Sequence, residues 1–319
     1  MSDHNADSNT ESNTEDNTEI NTEINAEINA EINADRIEPD WLALREPADA
    51  AARDRSWPAL RPAIAAWLTP RLAGGDGPLH VVDAGAGTGA NARWLAPRLT
   101  ALASGHPVRW TLLDHDDRLL AHVPPGLTAR RVCGDLADLP GLLRRSESPE
   151  PESVSGPGTR ATLVTASALL DLLTADQLDR FVDDALAADA ALLVALTIGP
   201  TWRLEPLDGP DARLSDRLDA AFHEHQGRGR SLGHRAIDRL VDRHPRALRA
   251  DSPWQLNAAD PADAALIDRF LTERAAAAVA ARPELRDPAR SWLERRRADL
   301  RRGRLTVRLE HTDVWLSPQ

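Results

Sequence analysis

Residues 81–99 read VVDAGAGTGANARWLAPRL. Val81 and Val82 lead through Asp83 into glycines at 85, 87 and 89, and the residues that follow have helical spacing. A chain leaving a buried strand for a helix must turn within a few residues. Glycine permits that turn, because it adopts left-handed backbone angles and lets a ligand approach closely. The stretch therefore predicts a strand, a tight turn and a crossover helix, the opening unit of a parallel α/β sheet. Gly85, Gly87 and Ala90 also satisfy the GxGxxG/A spacing of dinucleotide sites. Taken alone, the loop leaves open a dinucleotide, another nucleotide-like ligand and an unliganded turn.

Working outward, VRWTLLDHD (108–116) and LTARRVCGD (127–135) read as strands that end in acids, with a short helix at 117–121 between them. ATLVTASALLDLL (161–173) reads as a strand and its exit, ADQLDRFVDDALA (175–187) as a helix and AALLVALTIG (190–199) as the next strand. Strands alternating with helices at this spacing predict a doubly wound, mostly parallel sheet with helices on both faces. Upstream, DWLALREPADAAARDRSWPALRPAIAAWL (40–68) reads as two helical pieces broken near Pro58 and Pro62. Downstream, helices are expected over 211–222, 233–244, 261–281 and 288–302, interrupted by ALRADSPWQLN (247–257). The alternating GRLTVRLEHTDVWLS (303–317) reads as a final strand near an antiparallel edge. RRSESPEPESVSGPGTR (144–160) has no apolar period and reads as an exposed insertion.

Charge is unevenly placed. Residues 1–35 hold ten Asp or Glu and no Lys or Arg, so the rest of the chain carries 40 acids against 38 bases. A nearly neutral body offers no general attraction for a phosphate backbone, so no nucleic-acid partner is expected. The acidic tail repeats NTEI and NAEI and would put Glu19, Glu23, Glu27 and Glu31 side by side on a helix with no cation between them. Residues 1–36 are read as a disordered tail and 37–319 as one domain, with a protein partner for the tail's Ile-spaced repeat as the alternative. Removing residues 1–35 should leave the melting temperature of the body unchanged; a large drop in a thermal scan would contradict this. One cysteine, Cys133, excludes a disulfide framework and a thiolate zinc cluster. No apolar run is long enough to span a membrane and no secretory leader opens the chain, which predicts a cytoplasmic protein without a membrane partner.

Three stations bear on the ligand. The loop is DxGxGxG, with Asp83, Gly85, Gly87 and Gly89; Asp114 ends the second strand, where a carboxylate can accept from both ribose hydroxyls. CGDLADLP places Asp135 and Leu136 at the end of the third, where an acid and an apolar neighbour can address an adenine. Carboxylates at three strand ends suit a ligand with a cationic arm better than a pyrophosphate.

VVDAGAGTG, Asp114 and CGDLADLP together resemble the class I S-adenosylmethionine-dependent methyltransferases, over about residues 75–319. The resemblance implies a Rossmann-like, seven-stranded sheet with an antiparallel C-terminal strand, S-adenosyl-L-methionine as cofactor and methyl transfer to a small-molecule acceptor. It places Gly85, Gly87 and Gly89 under the aminoacid and ribose part, supported by Asp83, with Asp114 on the ribose and Asp135 and Leu136 at the adenine. Arg45, together with Arg53, would close over the cofactor carboxylate. An NAD(P)-dependent oxidoreductase is the enzymatic alternative, and a non-catalytic nucleotide-binding or partner-binding protein of the same fold is the other. The segment 197–233 follows the fifth strand, where parallel-sheet enzymes place substrate loops; it offers Trp202, Arg228, Arg230 and the histidines His223 and His225. His225 is the candidate general base, and His223 the second. No metal site is expected, since HEH lacks a third spaced ligand.

Overall fold

The computed structural model describes residues 37–73, 77–147, 161–207, 209–228 and 231–318. The acidic tail and most of the 144–160 insertion lie outside the described residues. The chain divides after Trp41, and the sheet and the site belong to the second unit, Leu42–Gln319.

The elements run α1 (Pro39–Leu72), β1 (Leu79–Ala84), α2 (Ala90–Leu102), β2 (Val108–Asp114), α3 (Asp117–Ala121), β3 (Ala129–Cys133) and α4 (Leu139–Glu147). They continue with β4 (Thr162–Ser167), α5 (Ala175–Ala187), β5 (Ala191–Glu205), α6 (Gly209–Arg228), α7 (Ala236–Arg243), β6 (Leu248–Asp251) and β7 (Trp254–Asn257). Helices α8 (Pro261–Ala281) and α9 (Arg286–Arg301) then precede β8 (Thr306–Leu316). The sheet order is β3-β2-β1-β4-β5-β8-β6, with β7 also paired to β8. β1 to β5 are mutually parallel, and β8 is antiparallel to β5, β6 and β7. The doubly wound, mostly parallel sheet with an antiparallel C-terminal strand is therefore present.

Its details differ from the sequence reading in four places. The sheet has eight strands rather than seven, because ALRADSPWQLN, read as an interruption, supplies β6 and β7. Pro253 lacks the N–H a ladder needs and splits this edge into two four-residue segments, too short for a periodic signal. Consequently β8 lies inside the sheet and not at its edge. β5 runs on to Glu205, so Trp202 sits on a strand opposite Leu309 instead of opening a loop.

The fourth difference is α1, which is continuous through Pro58 and Pro62. Its four prolines, at 47, 58, 62 and 70, are all exposed, whereas Leu60, Ile64, Trp67 and Leu68 are buried on the opposite face. Prolines confined to the solvent side bend a helix around its core without breaking it. Burial of those four side chains, at about 1.5–3 kcal/mol each, offsets the lost backbone bonds. They pack with Leu95 and Leu99 of α2 and with Leu163, Leu193 and Trp315 of the sheet. The other sheet face is covered by α4, α5 and α7 through Leu143, Phe181, Val182 and Leu240. On the extended end of β5, Trp202 meets Phe270 of α8, with ring centroids 5.6 Å apart, and donates to Asp219 of α6 at 2.9 Å.

Candidate active site

Gly85 and Gly87 follow β1 with φ of 65° and 53°, in the left-handed region that favours glycine. A side chain at either would also lack room: a Cβ on Gly85 would lie 3.0 Å from Leu169 Cδ1, and one on Gly87 would lie 3.1 Å from Leu42 Cδ1. Gly89 then caps the start of α2, with φ of 77°. Gly87 N–H donates to Asp114 Oδ2 at 2.7 Å, and Asp116 N–H donates to Oδ1 at 2.9 Å. Asp114 is thus buried at the end of β2 and fixes the loop from below. Gly134 N–H donates to the Asp114 carbonyl at 2.9 Å, drawing the end of β3 alongside. There Asp135 is exposed and caps a short turn by accepting from Ala137 N–H at 3.1 Å, and Leu136 is half-buried.

Asp83 is fully buried at the end of β1. Asn91 Nδ2 donates to its Oδ1 at 2.5 Å and approaches Thr165 Oγ1 at 3.2 Å, while Arg53 Nη1 donates to Asn91 Oδ1. The Arg53 guanidinium stands 3.9 Å from the Trp94 ring centroid, and Arg98 stands 3.8 Å from it. Two atoms of this group are buried without a partner, Asp83 Oδ2 and Arg53 Nε. A cavity of about 210 Å³ adjoins Arg53 and Asn91, lined also by Asp49, Trp94, Ser167 and Leu196 among others. Arg45 is not among its lining residues. It pairs with Asp49 at 2.8 Å and lies over Trp254, whose Nε1 also donates to Asp49.

Behind the cavity, Asp313 of β8 accepts from Ser56 Oγ of α1 at 2.6 Å, from Ser252 Oγ at 2.6 Å and from Leu196 N–H at 2.8 Å. Leu196 sits at a bulge in β5 with φ of 54°, and Ala168, just past β4, has φ of 51°. Two non-glycine residues in a costly backbone region therefore flank the C-terminal ends of the central strands, where functional strain collects. Asn91, Thr165 and Asp313 went unnoticed in the sequence. A signal for Asp313 and His311 existed: both alternate in phase with Val307, Leu309 and Trp315, the buried face of β8.

Burial raises the Asp83 carboxyl to about 7, against the Asn91 hydrogen bond and the Arg53 charge. Burial lowers the His311 imidazole to about 3, with Arg45 adding to the effect. These shifts oppose each other in stability. The Asp83 contribution is present at low pH and is lost as pH rises from 3.8 through 7; the His311 penalty is present at low pH and relieved as pH rises toward 6.5. His311→Asn should therefore make the urea midpoint fall between about pH 4 and 7, and Asp83→Asn should make it rise between about pH 3 and 6.5, each relative to the parent. Identical slopes in all three proteins would contradict the assignment.

The two candidate histidines part company on α6. His225 is exposed. His223 is half-buried, with Nε2 3.6 Å from Asp219 Oδ1 and its ring 5.2 Å from that of His234. Asp219 also accepts from Trp202 Nε1 at 2.9 Å and from Arg274. Burial works to raise the Asp219 carboxyl, but the His223 hydrogen bond and the Arg274 charge outweigh it and hold it below the usual range. His223 Nδ1 is buried without a partner. Leu232 N–H donates to Leu173 carbonyl at 2.8 Å, tying the turn that carries His234 to the segment following β4. Of Arg228 and Arg230, the first is the last residue of α6 and the second lies outside the described residues. Among the described residues, no group of three His, Cys, Asp or Glu is placed to hold a metal. No helix among them is long and apolar enough to cross a membrane.

No family model matches the chain. No curated protein matches it either. Several solved structures resemble it at low identity. A cyclopropane synthase from Mycobacterium tuberculosis is 15% identical over 78% of this chain and 83% of its own, with a TM-score of 0.34. An S-adenosylmethionine-dependent methyltransferase from Thiobacillus denitrificans, solved with S-adenosyl-L-homocysteine, is 12% identical over 80% of this chain and 89% of its own, with a TM-score of 0.34. Phosphoethanolamine N-methyltransferase 2 from Haemonchus contortus, solved with S-adenosyl-L-methionine, is 10% identical over 79% of this chain and 51% of its own, with a TM-score of 0.34.

Proposed function

We propose that the chain transfers the methyl group of S-adenosyl-L-methionine to a small-molecule acceptor. The observation that carries this reading is the joining of the glycine loop to Asp114 beside a cavity where Arg53 keeps an idle, buried N–H. The residues fit the cofactor by chemistry: Arg53 for its carboxylate, Asp114 for the ribose hydroxyls, and Asp135 with Leu136 for the adenine. Asp83 supports the loop through Asn91, and Arg45 acts through Asp49 at the cavity wall. At about 210 Å³ the cavity is smaller than the ~300–1,000 Å³ common for small-molecule sites, so it must widen on binding. Bound there, the cofactor supplies an electrophilic methyl group on a sulfonium sulfur. The protein's own work is then to orient the acceptor, exclude water and, for a hydroxyl or ammonium acceptor, remove a proton.

His225 and His223 are the candidates for that proton, and their surroundings favour His223. Asp219 orients its ring and stabilises the imidazolium it would become, while Nδ1 is left without a partner. The test incubates the protein with methyl-labelled cofactor and a deproteinised small-molecule extract. Label should enter a low-molecular-mass product. His223→Gln should slow that transfer by about a hundredfold, with the defect shrinking as pH rises, and His225→Gln should leave it nearly intact. Label entering only macromolecules would overturn the acceptor class, and a fully active His223→Gln would remove the base.

A further inference from the structure

We infer that Arg274 of α8 is a positioning residue for His223: by occupying the Asp219 oxygen that the imidazole also faces, it keeps that ring uncharged until a methyl acceptor delivers a proton. This rests on the choice of His223 as the base. Side chains from three elements converge on Asp219 Oδ1. Arg274 Nη2 donates to it from α8, Trp202 Nε1 donates from β5 at 2.9 Å, and His223 Nε2 of α6 is the outermost at 3.6 Å. A carboxylate facing an imidazole favours the protonated ring, and a cation on the same oxygen offsets that pull. Without Arg274, Asp219 would hold His223 as imidazolium, and the base would already carry the proton it has to accept.

The guanidinium is enclosed at this place. Arg274 is 5% exposed, and its charge lies 3.9 Å from the Phe222 ring centroid, 4.8 Å from that of Trp202 and 5.6 Å from that of Phe270. Its Nε and Nη1 are buried without a partner, and among the described residues Asp219 is its one carboxylate. A cation so placed gives up hydrogen bonds to water for a single anion. Packing α6 against α8 does not require that cost, since an apolar side chain would fill the same space between the rings. The other charges around the ring leave the balance to Asp219 and Arg274. His234, whose ring is 5.2 Å away on the 233–235 turn, is held below the usual imidazole range by burial and by the His223 charge, so it is neutral at neutral pH; Arg235 and Asp238 act on it with opposite signs. Glu224, next along α6, is exposed and paired with Arg282 at 2.9 Å.

NMR titration of the full chain with isotope-labelled histidine, without cofactor, reads the His223 ring directly, its signal identified by its loss in His223→Gln. Arg274→Met should raise the midpoint of that titration by about one pH unit, Arg274→Lys should return it to the parent value, and Trp202→Phe, which removes the other close donor, should raise it by less. An unmoved or lowered midpoint in Arg274→Met would overturn the inference; where that variant does not fold, an unmoved midpoint in Trp202→Phe would do so. In the label-transfer assay, the acid limb of rate against pH should move up with the midpoint in the same variants. A limb that stays while the midpoint moves would overturn the base assigned above and leave the hold of Arg274 on the ring standing.

Discussion

Asp114→Ala is expected to weaken S-adenosylmethionine binding by at least a hundredfold. The two hydrogen bonds proposed from its carboxylate to the ribose are charge-assisted, each worth about 1.5–3 kcal/mol. The same carboxylate holds Gly87 and Asp116 by their amides, so its loss also releases the loop from the end of β2. A loss of stability should accompany the affinity defect, about 1–3 kcal/mol for each amide left without its acceptor. Titration calorimetry and urea denaturation on the same variant separate the two effects. Parent-like affinity in the variant would remove Asp114 from the site.

The largest stability effect is expected at Asp313. Replacing it with Ala strips acceptors from the Leu196 amide and from the hydroxyls of Ser56 and Ser252, and removes the charge that most strongly helps Arg53 stay protonated in its buried position. Breaking one partner out of a buried charged network costs about 3–5 kcal/mol. Asp313 also links α1, the β6–β7 corner and the Leu196 bulge; of its three donors, Ser56 Oγ has a second acceptor in the Arg53 carbonyl at 3.0 Å. Asp313→Asn, which keeps the shape, should lose less than half as much in urea denaturation. A loss below about 1 kcal/mol for the Ala variant would mean that these donors find other acceptors.

The sequence disclosed those parts of the fold in which local chemistry and tertiary structure agree. Val81 to Gly89 could be read because a buried strand, glycines in a left-handed turn and a helix start each leave a local signature. Asp114 and Asp135 were legible as strand-terminal acids. The continuity of α1 was hidden because proline marks a break unless all the prolines share the solvent face, and that face is recognisable only once Leu60, Ile64 and Trp67 are known to be buried. β6 and β7 were hidden by their length, and the extension of β5 by Pro200 and Trp202, which resemble the start of a loop. The choice between His223 and His225 depends on Asp219 and on His234, which lies in a separate turn. Arg53 could be named as a cofactor residue from sequence, but its idle Nε and its carboxylate neighbours Asp49, Asp83 and Asp313 arise only when α1, β1 and β8 meet.

The most direct test of the account is a calorimetric titration of the purified chain with S-adenosylmethionine and, separately, with NAD. Saturable binding of S-adenosylmethionine, lost in Asp114→Ala, with no heat from NAD is the result predicted. Saturable binding of NAD with no response to S-adenosylmethionine would contradict it.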